Sequence, residues 1–90
     1  MNLLHTLTDT QKLEWMIEGF GAKIDRLERW KSHVKRSIKE LERKPLKDHE
    51  VAATKMEIAE KKEKIARYDK EIEMLDQMIE EAYEEMAELE

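Results

Sequence analysis

The apolar residues of the first half of the chain recur in steps that alternate between four and three: Leu13, Ile17, Phe20, Ile24, Leu27, then Lys31, then Val34, Ile38 and Leu41. A mean step of 3.5 residues holds all of them on one narrow stripe of a helix, the seam of a coiled coil. The stripe is interrupted once, by Lys31. The second half repeats every seven residues without a slip: Val51, Ile58, Ile65, Ile72, Ile79 and Met86. Its companion positions, Thr54, Lys61, Tyr68, Leu75, Ala82 and Leu89, are polar at the start and apolar toward the end. Beside them runs a column of small residues, Ala52, Ala59 and Ala66, which would let a further helix approach closely.

Between the two stripes stands the only proline, Pro45. A proline inside a helix clashes with the preceding turn and drives the residue before it out of the helical region. The chain reversal is therefore expected at about 43–48. The prediction is an all-α, antiparallel helical hairpin: an N-terminal segment 1–7, then one domain over 8–90 with helices at about 8–43 and about 48–89. Thr8 and Gln11 have the spacing of a capping box, in which each side chain satisfies the other residue's free N–H. Asp48 is the expected N-cap of the second helix, and Glu50 suits the positive end of its dipole. Gly19 and Gly21 each cost about 1 kcal/mol relative to alanine inside a helix. Because the stripe keeps step through Ile17, Phe20 and Ile24, one continuous helix is predicted, with a bend at the glycines as the alternative. A short connection makes the helices antiparallel neighbours, with facing residue numbers summing to roughly 92.

Composition excludes several kinds of chemistry. Without cysteine there is no disulfide, no Cys-based zinc site and no thiol nucleophile, and two glycines cannot build a phosphate-cradling loop. His5, His33 and His49 are scattered, with neither a Glu-x-x-His pair nor a His-x3-His pair. No catalytic, cofactor-binding or metal-binding residues are expected, and the chain is read as a non-enzyme. It has no run of about 18 apolar residues, and its start lacks the basic and apolar regions of a signal peptide. A soluble, cytoplasmic protein is the expectation.

Two helices share only one seam, so large apolar residues away from it need other cover. Trp15, Met16, Trp30, Met56, Met74 and Met78 all lie off the stripe. Exposed apolar patches mark interfaces, and a second hairpin, giving a homodimeric four-helix bundle, is the economical cover. With facing numbers summing to roughly 92, Trp15, Met16 and Phe20 fall near Met74 and Met78, at the end away from the turn, together with Leu3, Leu4 and Leu7. That end is bordered by acids, since residues 71–90 carry nine carboxylates and no base. The candidate partner-binding residues are Trp15, Met16, Met74, Met78 and Tyr83 with Glu81, Glu84 and Glu85. The expected function is a non-enzymatic protein–protein interaction module: an adaptor, an assembly factor, or an inhibitor whose carboxylates imitate a phosphate backbone. The alternative is nucleic-acid binding through the basic stretch 23–47, by Lys35, Arg36, Lys39, Arg43, Lys44 and Lys47; the net charge of -5 opposes it. Lys31 either fixes register as a polar seam residue or extends its ammonium past the seam to water or an acid.

Overall fold

The computed structural model describes residues 8–89 and contains two helices, α1 (Asp9–Arg43, 35 residues) and α2 (Asp48–Leu89, 42 residues). They form an antiparallel hairpin with overall dimensions of 64 × 27 × 15 Å. Leu3, Leu4 and Leu7 lie outside the described residues. Among the described residues no helix is long and apolar enough to cross a membrane.

The start of α1 follows from its capping chemistry. Gln11 N–H donates to Thr8 Oγ1 at 3.1 Å, and Thr8 N–H donates to Gln11 Oε1 at 2.9 Å. The helix then runs unbroken through Gly19 and Gly21, neither of which adopts a positive φ. It stops where Pro45 requires: Lys44 is extended, at φ -72 and ψ 127. Asp48, expected to cap α2, is instead its first helical residue, and Glu50 N–H donates to the Lys47 carbonyl at 2.8 Å.

The buried apolar residues are Leu13, Leu27 and Ile38 from α1 and Ile72, Leu75 and Ala82 from α2. All six are seam positions, and Leu27, at 2% exposure, is the most enclosed. Leu27 packs with Ile72 and Leu75, flanked by Phe20, Ile24 and Tyr68. A core one seam wide is what a two-helix unit can build, and it leaves the flanks of both helices in solvent.

The register differs from the expected one. Lys23 pairs with Glu71, Trp30 with Tyr68 and Lys31 with Asp69, pairs whose numbers sum to 94, 98 and 100. The centre of the seam, Leu27 against Ile72, sums to 99. The hairpin has therefore slid by one heptad from the tight-turn expectation. The cause is the connection. A helical residue advances about 1.5 Å and an extended one about 3.3 Å, so a non-helical connection beginning with the extended Lys44 carries the chain farther per residue than a helix would. The first turns of α2 accordingly run past the end of α1. Side-chain chemistry favours the same slide. In the unshifted register Lys31 would face Lys61 within the seam; in the observed one Lys31 lies beside Tyr68 and Asp69, and Lys61 is level with Ile38.

Candidate interaction surface

The register sorts the remaining residues onto two flanks of the seam. On one, which we call the Trp30 flank, Lys23, Arg26, Leu27 and Trp30 of α1 enclose a shallow groove with Tyr68 and Glu71 of α2. The Trp30 and Tyr68 rings lie 6.2 Å apart, tilted by 47°, and Lys23 Nζ meets Glu71 Oε1 at 3.1 Å across the groove. Nearer the open end, Asp9, Lys12, Leu13 and Met16 line a second groove with Glu85 and Leu89. Met78 stands one heptad from both Glu71 and Glu85, and Met74 is a turn away on the same side. Met16 and Met78 are thus the heptad equivalents of the Lys23–Glu71 pair. This flank carries Met16, Trp30, Met74 and Met78, four of the eight exposed large apolar residues among those described, with the seam residue Leu89 exposed at its open end.

The expected partner-binding group is divided by this geometry. Met16, Met74, Met78, Glu81 and Glu85 share the Trp30 flank. Trp15, 62% exposed, is on the outer surface of α1, and Glu84 is on the outer surface of α2. Tyr83 belongs to the opposite flank, two heptads along from Asp69. The placement of Trp15 and Met16 beside Met74 and Met78 was tied to the unshifted register. In the observed one, Trp15 and Met16 are level with Glu84 and Tyr83, while Met74 and Met78 are level with Asp25 and Gly21.

The opposite, or Asp69, flank is charged and segregated. Over the open half, α1 presents Glu14, Glu18, Asp25 and Glu28, and α2 presents Asp69, Glu73, Asp76 and Glu80. Toward the turn the same flank presents Lys35, Lys39, Lys55 and Lys62 over the exposed column Ala52, Ala59 and Ala66. At the border, Lys31 leaves the seam. Its side chain is 17% exposed, and its ammonium donates to Asp69 Oδ1 at 2.7 Å, with Glu28 at 3.5 Å. The hydrogen bond to Asp69, aided by the charges of Asp69 and Glu28, holds the Lys31 ammonium above its ordinary range against the opposing effect of desolvation. Of the two readings of Lys31, extension to an acid describes what it does.

The basic candidates fall into two groups. Lys35, Arg36, Lys39 and Arg43 line one surface of α1 with Ser32 and Glu40, and none forms an ion pair among the described residues. Lys44 and Lys47 lie apart from them in the connection, exposed. Among the described residues no group of three or more His, Asp or Glu side chains could hold a metal ion.

Sequence reasoning noted Trp30 but left it out of the site, and it missed Lys23, Tyr68 and Glu71. The available signal was the pair of seam lysines. Requiring Lys31 and Lys61 to avoid each other selects the shifted register and places Trp30 against Tyr68. Comparison with known proteins finds no family model, curated protein or solved structure that matches this chain.

Proposed function

We propose that this chain is a non-catalytic helical protein–protein interaction module, an adaptor, assembly factor or inhibitor, that acts through the Trp30 flank of its open half. The observation that carries this reading is the gathering of Met16, Trp30, Met74 and Met78 on one side of the seam, next to the exposed seam residue Leu89 and with Glu81 and Glu85 at its border. Methionine suits such a surface because its flexible thioether repacks against varied partners. The carboxylates give it an affinity for basic surfaces, including the phosphate-binding grooves of nucleic-acid-handling proteins. The test is affinity capture from the source cell with the native chain and with Met16→Lys/Met78→Lys. A partner held by the native chain and lost by the variant supports the proposal; one held equally by both overturns the placement.

The second reading is nucleic-acid binding through Lys35, Arg36, Lys39 and Arg43. It is favoured by their sharing one surface without carboxylate partners. A gel shift at low salt, abolished by Arg36→Glu/Arg43→Glu, is its expected result. No shift, or one indifferent to those changes, disposes of it.

A further inference from the structure

We propose that the occupant of the Trp30 flank is a second copy of this chain, laid face to face about a two-fold axis parallel to the helices. This deepens the interaction reading above and rests on it. In such a pair both connections lie at the same end, and α1 of each copy crosses over α2 of the other.

Charge chooses this arrangement over its rival. In the open half the charges of this flank are largely divided by helix: Lys12, Lys23 and Arg26 on α1, with Asp9 the one acid at its start, and Glu71, Glu81 and Glu85 on α2. A two-fold axis parallel to the helices sets α1 of one copy over α2 of the other at the same level, so that bases meet acids. A two-fold axis perpendicular to the helices within the plane of contact sets α1 on α1 and α2 on α2, and like charges meet. Opposed like charges cost association and complementary ones set orientation.

The apolar groups fit the same axis. Gly19 is on this flank, between Met16 and Lys23, and a Cβ built there meets nothing within 4 Å. Its backbone is ordinary helix, so the hairpin's own conformation requires a glycine no more here than at Gly21. With facing numbers summing to about 99, Met78 is level with Gly21. The parallel axis therefore brings Met78 of each copy down on the other copy's α1 beside Gly19, where the missing side chain leaves it room. Met16 and Met74 border the same contact, and burial of these thioether side chains supplies the driving force.

The chain has no cysteine, so the arrangement can be read by cross-linking. Gly19→Cys and Met78→Cys are prepared separately and oxidised alone and mixed, and the native chain is sized by sedimentation. The expected results are a native mass twice 10.8 kDa, a covalent dimer in the mixture, and only traces in either variant alone. Met16→Lys/Met78→Lys should fall back to 10.8 kDa. A covalent dimer formed by Met78→Cys alone reports α2 lying on α2 and overturns the axis. A native chain that sediments as a monomer overturns the self-pairing. If that monomer still captures another protein through Met16 and Met78, the interaction reading survives the loss. A cross-linked pair that captures nothing else supports the self-pairing and makes assembly itself the activity.

Discussion

The two flanks of the seam are built on the same pair of helices, yet they have opposite chemistry. The Trp30 flank mixes methionines and an aromatic pair with charges of both signs, in its open half mainly bases on α1 and acids on α2. The Asp69 flank has almost no large apolar side chain beyond Tyr83, and its charges are unevenly spread along the rod, acids alone over the open half and lysines together with Glu42 and Asp48 toward the turn. Between them the seam is equally apolar on both sides. The difference therefore does not arise from folding the hairpin, which needs only the seam. It marks one flank as suited to contact with another surface and the other as suited to water.

The comparison can be broken at what the flanks share. Leu27 lies under both, and Leu27→Ala is expected to destabilise the chain by about 2–5 kcal/mol, the usual range for a buried leucine. Urea unfolding followed by circular dichroism measures it. A loss well below that range would mean that the core is held from outside the seam.

The glycines sharpen the comparison, because Gly19 is on the Trp30 flank and Gly21 on the Asp69 flank. Each has open space where a Cβ would stand, so alanine at either should stabilise the isolated hairpin by about 1 kcal/mol. The two should part company in assembly. Gly21→Ala leaves the sedimenting mass unchanged, whereas Gly19→Ala weakens self-association. Equal behaviour of the two variants in sedimentation would remove the distinction between the flanks at this level.

Lys31 joins the seam to the Asp69 flank, and its ion pair predicts a pH dependence of definite sign. Its ammonium is held more firmly in the folded chain than in the unfolded one, where its ordinary value is 10.5. The stabilisation is therefore complete below that value and is lost as the pH rises through the higher folded-state value. Thermal melts across the alkaline range should show the native chain losing stability relative to Lys31→Met. A constant difference between the two would show that the contact with Asp69 contributes nothing. The smallest effect is on the acids alone. Asp76 stands three residues after Glu73 and four before Glu80. Asp76→Lys replaces two like-charge neighbours by attractive ones and should stabilise α2 by roughly a few tenths of a kcal/mol, an effect that added salt reduces.

Much of this fold can be read in the sequence because the signals are local and periodic. The alternating steps of Leu13 to Leu41 and the seven-residue repeat of Val51 to Met86 define both helices, and Thr8, Gln11 and Pro45 define their ends. The register was not legible from the turn, because it depends on how far Lys44 to Lys47 carry the chain before α2 begins. Heptads admit only slides of seven residues, so a small error in the length of the connection becomes a whole-heptad error in who faces whom. This is why Met74 and Met78 are level with Asp25 and Gly21 rather than with Trp15 and Met16, although Met16 and Met78 keep the offset of the Lys23–Glu71 pair. The candidate surface was legible as a composition of off-seam residues, and its division into flanks was not. Tyr83 and Met78 are five residues apart, which puts them on opposite sides of the Ile79–Ala82 seam, but only the facing helix decides what each lies beside.

The best-packed layer of the hairpin is distant from its bend. Ile72 follows Leu27 by 45 residues, whereas the layers nearer the connection contain Thr54 and Lys61, the latter level with the buried Ile38. Closing so long a loop costs chain entropy before any apolar contact repays it. Pro45 therefore acts as a tether whose length sets the register at which the two helices meet. The rod is fastened most firmly at its waist, by Leu27, Ile72 and Leu75.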